Sequence, residues 1–373
     1  MFTRSLTIAR KELRQLRRDR LTLAMAIALP LLQLILFGYA INTDVRHLPT
    51  VVYDQDNSGQ SRDFTRSLEA TGYYDVVGHV QAYADIQRSF RIGQSRVGVV
   101  IPSDVSKRLA RGEQASAQIV VDGSDPLVVG AAINTATGLA TERSVRLRSA
   151  SFSAAPPAGP AIQVEPTVWY NPELRTAVYV VPGLIGVILT MTMVMLTSMA
   201  IARERERGTL EQLMVSPVRR LELVVGKILP YIAIGYVQMT IVLAAGYLIF
   251  DVPLRGSYGL LYALAFVFIA ANLALGLVFS TVAKSQQQAM QMSFFFLLPN
   301  ILLSGFMFPF EAMPTPAQWL AQTLPLTHFM RIVRGIALKG STFSDVAVEL
   351  VWLVGILTIL MVVASMRVSK KLA

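Results

Sequence analysis

The sequence predicts an α-helical polytopic membrane protein with six transmembrane helices and an α/β domain inserted outside the cytoplasm after the first. Three observations predict it. Of 373 residues, 53% are hydrophobic and 16% charged, against about 25% charged in soluble domains. Six apolar stretches approach the roughly 20 residues that a helix needs to cross the hydrocarbon core. Between the first two lies a polar segment, 42–176, long enough for a small domain. The net charge of +10 does not indicate nucleic acid, because most of the excess flanks the apolar stretches. With no cysteine in the chain, disulfides, thiol chemistry and cysteine–zinc sites are excluded.

The chain opens on residues 1–20, where Phe2, Leu6, Ala9, Leu13 and Leu16 recur at helical spacing among basic residues. This is the pattern of an amphipathic helix on the inner leaflet. The first span covers 21–41. Gly38 and Ala40 would suit a signal-peptide cut, but the apolar run is too long for such a segment, which favours a retained anchor.

In the external segment, 51–53, 75–80, 97–101 and 118–121 read as strands, and 61–70, 84–92, 104–111 and 127–148 as helices, with Ser103 as N-cap of the third. Asp54, Asp56, Asp122 and Asp125 read as turn residues at strand ends rather than a cation site, since Thr65 stands where a calcium loop closes on Glu. A Pro/Ala/Ser linker, 149–160, leads back to the membrane.

Further spans are expected at 177–201, 228–250, 260–283, 289–308 and 346–366; Pro299 and Asn300 interrupt the fifth, and Glu349 sits near the outer end of the sixth. Arg and Lys crowd the N-terminal flank, the loop 202–227 and the C-terminal tail, so both termini are read as cytoplasmic. Arg331, Arg334 and Lys339 weaken that contrast on the other side. Prolines punctuate 309–345, which reads as short re-entrant or interfacial helices roofing the outer face.

No phosphate-binding loop occurs; the 335–341 stretch has glycine spacing but lacks the phosphate-reaching lysine. His47, His79 and His328 are scattered and give no zinc spacing, so surface or interface roles are expected for them. No nucleophile turn is present, and no span carries the central charge that ion-coupled carriers need. Milder groups occur in the interior, and Met191, Met195, Phe295, Asn300, Ser304 and Phe306 are the candidate substrate path, Met adapting to bulky amphipathic cargo; lipid-facing or helix-packing roles are the alternative, since apolar residues are expected in any span.

The loop 202–227 is too charged to cross a bilayer and too patterned for a plain connector. Arg203, Glu204, Arg205, Glu206 and Arg207 alternate in sign; Gly208 and Thr209 open an amphipathic run holding Leu210, Glu211, Leu213 and Met214; Pro217 stops it. Such a surface suits docking to a soluble partner.

These residues resemble the permease subunits of type-2 ABC exporters. The resemblance lies in ARERERGTLEQL from Ala202 to Leu213, then Ser216-Pro217 and Gly226-Lys227, LSGFMFP from Leu303 to Pro309 with Met313-Pro314, and RKELR from Arg10 to Arg14. One span, a large external domain and five more spans is similar to the order in the bacterial drug-export branch. The resemblance implies a multi-pass protein of the bacterial inner membrane that pairs with a second permease. It implies docking on a cytoplasmic ATPase that binds ATP and Mg, with no cofactor and no catalytic residue on this chain. It also implies, for the drug-export branch, an external adaptor leading to an outer-membrane channel. A lipid-linked glycan exporter is disfavoured by the large external domain, and an ion-coupled carrier by the uncharged spans; a non-transporting scaffold stays open.

Overall fold

A computed structural model describes residues 45–150, 161–206 and 220–370. The expected amphipathic helix and first span therefore lie outside the described residues, as does most of the linker.

The external segment forms a five-stranded sheet of order β2-β1-β3-β4-β5. Its strands are β1 (Leu48–Asp54), β2 (Tyr74–His79), β3 (Val97–Ile101), β4 (Ala115–Asp122) and β5 (Ile162–Trp169). Helices α1 (Gly59–Ala70), α2 (Tyr83–Arg91), α3 (Val105–Ala110) and α4 (Pro126–Ala150) connect them. The β3–β4 pair is antiparallel and the other pairs are parallel. Every residue of β3 is buried, as expected of a strand covered on both faces.

Period-2 alternation divides the strands between two cores. Leu48, Val52, Val97, Val99, Ile101, Ile119 and Val121 pack with Phe64 and Leu68 of α1 and with Val128, Val129 and Ala132 of α4. The alternate residues Val51, Val100 and Val120 pack with Ile86 and Phe90 of α2, and also with Val178, Ala337 and Leu338. The last three belong to the membrane part, so the second sheet face is closed by the sheet-facing ends of the spans, called the outer ends below.

Three details differ from the sequence pattern. Strand β5 is not among the expected strands, although Ile162, Val164 and Val168 alternate with Gln163, Glu165 and Thr167; Pro166 stands inside the run, and on a sheet edge a proline is tolerated. Ser103 is not the N-cap of α3: Asp104 occupies that position, without a side-chain capping bond. Asp54 does shape a turn, accepting from the Asp56 and Asn57 N–H groups, each at 3.0 Å, and from the Ser61 hydroxyl at 2.6 Å.

The membrane part contains α5 (Thr176–Glu206), α6 (Arg220–Phe250), α7 (Tyr258–Val282), α8 (Gln286–Leu303) and α11 (Phe343–Lys370). Between α8 and α11 lie short helices α9 (Thr315–Ala321) and α10 (Pro325–Arg334), the latter continued by a wide turn over Gly335–Lys339. Four helices among the described residues, α5, α6, α7 and α11, are long and apolar enough to cross a membrane. The protein is thus a polytopic membrane protein with a small sheet region. Where the fifth span is expected, at 289–308, the helix is α8, which is 18 residues long, opens on three glutamines and ends at Leu303. After the Ser304 C-cap, Gly305 takes φ +80°, a left-handed turn that suits glycine, and the chain leaves the helix.

Among the described residues, helix α7 is the most enclosed span. Its Leu261, Leu264, Ala265, Phe268 and Ile269 meet Ile185, Leu189 and Met193 of α5 and Phe329, Ile332 and Val333 of α10. The Phe268 and Phe329 rings stack with centroids 4.0 Å apart. Close approach of α5 and α7 depends on Gly276, where a Cβ would lie 2.7 Å from the Val194 carbonyl oxygen and 2.9 Å from the Thr197 Cβ. Small residues serve this purpose where helices cross in a bilayer. Gly276→Val should therefore lower the thermal midpoint in detergent, with a cost of about 1–3 kcal/mol from overpacking. Gly355→Val on α11, where nothing among the described residues lies within 4 Å of the added carbon, should leave the midpoint near that of the parent.

Candidate functional site

The inner end of α5 carries the start of the patterned loop. Glu204, Arg205 and Glu206 are helical, in the last turn of α5, and α6 begins at Arg220. The polar connection is therefore shorter than 202–227, because 221–227 continues into α6 as helix. Gly208, Thr209, Leu210, Glu211, Leu213, Met214 and Pro217 lie outside the described residues.

Glu206 makes a defined joint with α8. Its carboxylate accepts the backbone N–H of Gln286 at 3.0 Å and the Gln286 side-chain amide at 2.7 Å. Arg203 Nε donates to the same Gln286 side chain at 3.1 Å. The backbone N–H of Gln286 is one of the donors that a helix leaves unpaired at its N-terminus, where a carboxylate is also favoured by the helix dipole. The Gln286 side-chain and backbone hydrogen bonds hold the Glu206 carboxyl below its ordinary pKa. Beneath the joint, Ala202 packs with Ala283, Ala289, Met199 and Met292. A displacement of the chain beyond Glu206 thus acts on α5 and α8 together.

The expected path residues separate into two groups. Met191 is exposed on α5, Met195 and Phe295 are half-buried, and the fully buried methionine of that stretch is Met193. Asn300 is fully buried, and neither of its amide atoms has a partner among the described residues. Ser304 and Phe306 come together at the outer end of α8, where the Tyr179 hydroxyl donates to the Phe306 carbonyl at 2.7 Å. Polar bridges hold the spans around them: Thr192 Oγ1 lies 2.8 Å from Gln238 Oε1, and the Ser198 and Ser293 hydroxyls are 2.9 Å apart.

At the outer end the structure assembles an ionic cluster that the sequence pattern does not reveal. Asp122, fully buried at the end of β4, receives Lys339 from the turn after α10, and Arg96 at 3.0 Å. Arg96 also binds Glu311 at 2.8 Å, and the Lys339 ammonium donates to the Phe90 carbonyl at 2.9 Å. Burial pushes the Asp122 carboxyl up, but Lys339 and Arg96 outweigh it and hold it at about 2. Asp122 is therefore more than a turn residue. A second cluster lies nearby: Glu349 accepts from His328 Nδ1 at 2.5 Å and from Arg331 at 3.1 Å, while His328 Nε2 faces the Gln322 carbonyl at 2.9 Å. His328 is fully buried and stacked on Trp352, not at a surface. The sequence signal for the clusters is Arg331 and Lys339, cations among the short helices after α8; buried cations need carboxylates within reach.

The family described as ABC-2 family transporter protein matches residues 20–366. The chain is 32% identical over 352 residues to the probable multidrug ABC transporter permease YbhR of Escherichia coli K12, covering 94% of this chain and 93% of that protein. It is 30% identical over 346 residues to the probable multidrug ABC transporter permease YbhS of the same strain, covering 92% and 91%. To the inner membrane transport permease YhhJ of that strain it is 25% identical over 361 residues, covering 92% and 89%.

The Asp122 cluster has a testable energetic consequence. Removing one partner of a buried ion pair costs about 3–5 kcal/mol, because the other charge stays buried. Asp122→Asn should lower the thermal midpoint in detergent markedly, and adding Lys339→Met should recover part of the loss. Since folding lowers the Asp122 pKa from 3.8 to about 2, its contribution is full above about pH 4 and is lost as pH falls through about 2. Asp122→Asn should remove that acid-dependent component from the pH profile of the midpoint.

Proposed function

The chain belongs to the ABC-2 transporter family, and on that premise we propose that it is the permease subunit of an ABC exporter. In this reading it moves hydrophobic or amphipathic, drug-like compounds outward, using ATP hydrolysed with Mg on a separate cytoplasmic subunit. The observation that carries the reading is the joint of Glu206 and Arg203 with Gln286, which ties the patterned loop to two helices at once.

Each loop residue then has a role. Glu204, Arg205, Glu206 and Glu211 set register against the ATPase by charge, as complementary potentials do at interfaces. Gly208 and Thr209 start the docking helix, Leu210, Leu213 and Met214 are its apolar anchors, and Pro217 ends it. Two permease copies, or this chain and a related one, pair in the bacterial inner membrane with both termini cytoplasmic. The Lys and Arg distribution supports this orientation, and the name of the relative YhhJ supports the compartment. An external adaptor and outer-membrane channel complete the route outward. Relatives named multidrug permeases support a drug-like cargo. Asn300, whose buried amide has no partner among the described residues, is the path residue best suited to meet a polar group on that cargo.

Glu206→Lys reverses the charge that holds Gln286, and Gly208→Pro interrupts the start of the docking helix. Both should lower ATP-dependent transport in inverted membrane vesicles by about tenfold or more, since a misregistered interface loses coupling before it loses fold. The thermal midpoint should stay near that of the parent. Unchanged transport in both variants contradicts the docking role. Transport that persists without ATP, with no ABC ATPase co-purifying from membranes, contradicts the exporter reading.

A further inference from the structure

Between the external sheet and the outer ends of α8 and α10 lies a cleft of about 470 Å³, within the roughly 300–1,000 Å³ typical of small-molecule sites. Its charged lining is almost fully committed to internal pairs. Arg96 holds Glu311, Arg331 holds Glu349, His47 faces Asp75 at 3.1 Å, and Asp345 accepts from the Thr342 N–H at 2.8 Å. Arg334 is the chief exception. One of its nitrogens donates to the Gly305 carbonyl at 2.9 Å, and its guanidinium lies 4.2 Å from the centre of the Tyr179 ring. Its Nε and Nη2 are buried and make no well-formed hydrogen bond among the described residues, although the Tyr179 hydroxyl is within the guanidinium's reach, and Arg91 Nε in the same lining is also buried without a partner there.

A buried N–H without an acceptor is costly, more so on a charged group. The acid nearest in charge terms, Asp125, does not relieve it. Its carboxylate accepts from the Leu127 N–H at 3.0 Å at the start of α4. Burial pushes the Asp125 carboxyl up, toward its neutral form, against the pull of Arg334. The apolar part of the wall comes from Ile92, Phe310, Met330 and Val346, beside the polar Ser124, Ser304 and Gln318. A guanidinium fork with two idle donors takes a planar or tetrahedral oxyanion in preference to other groups, and the apolar wall takes a hydrocarbon body.

We propose that this cleft is a binding site for an amphipathic anion, a carboxylate, sulfonate or phosphate head on an apolar body, with Arg334 seating the head. That such a molecule leaves the transporter by this cleft rests on the exporter reading; the binding itself does not.

The test is fluorescence binding of dansyl-leucine, an amphipathic carboxylate, and of its methyl ester to the purified full-length chain, without ATPase or ATP. The acid should bind about tenfold or more tightly than the ester, as a charge-assisted hydrogen bond requires. Arg334→Gln should bring the acid to the level of the ester while leaving the ester unchanged, which also reports that the variant folds. Asp125→Asn, which keeps the α4 cap, should leave the acid's affinity equal or raise it. In nanodiscs, displacement of the acid by phosphatidylglycerol but not phosphatidylcholine supports the site with a lipid as the source of the anion; displacement by neither supports it with a soluble one. Equal binding of acid and ester by the parent, or an acid preference that survives Arg334→Gln, overturns the proposal. ATP-driven transport is read separately, so its absence would bear on the exporter reading and not on this site.

Discussion

A carboxylate with no exposure to water must keep its counter-charges, and Asp122 draws its own from two distant parts of the chain. Arg96 comes from the same sheet, and Lys339 from the turn after α10, 217 residues on. The Coulomb attraction of such a cluster is offset by the cost of dehydrating its members, so its value lies less in net stability than in geometry. Moving the sheet away from the outer turn would strand a charge in an apolar setting. The apolar face made by Val51, Val100 and Val120 with Val178, Ala337 and Leu338 adds area to the same boundary. Together they make the external domain and the outer ends of the spans one mechanical piece.

That piece is connected to the opposite ends of the spans by two helices. Helix α5 has 31 residues and so a length of about 46 Å. Its inner end holds Glu206, and its outer end holds Val178 against the sheet. Helix α8 begins at Gln286, which Glu206 holds, and ends before Gly305, whose carbonyl receives Arg334. The two helices are thus joined at the inner end by Glu206 and Gln286, and both reach the boundary that Asp122 and Arg334 organise. The close α5–α7 crossing at Gly276 extends the connection to the most enclosed of the described spans. Packed and hydrogen-bonded groups thus run from Glu206 to the cleft beside the sheet.

Much of this fold is legible in the amino-acid sequence. Strand β3 spans Val97–Ile101 as its unbroken valine-rich run indicates, and the helices of the external domain follow their periodicity closely. Strand β5 carries an alternating pattern in Ile162, Val164 and Val168, but Pro166 inside the run and the linker just before it disguise it. The limits of α8 are hidden because Leu303 to Phe308 stays mostly apolar while Gly305 turns the backbone. Asp122 reads as a turn residue since position in sequence says nothing of what approaches from 217 residues away. Of the basic residues that blur the orientation, Arg331 and Lys339 are the visible half of ion pairs whose other half is Glu349 and Asp122.

The most direct test of this account uses the absence of native cysteine. Spin labels would be placed by Arg111→Cys on the external domain and Trp319→Cys on α9, both exposed, in the transporter assembled with its ATPase. Pulsed dipolar distances would be measured with and without ATP. A single, nucleotide-independent distance, broadened when Asp122→Asn is added, is the predicted result. A distance that shifts with ATP in the protein that retains Asp122 would contradict the claim that the external domain and the outer ends of the spans move as one body.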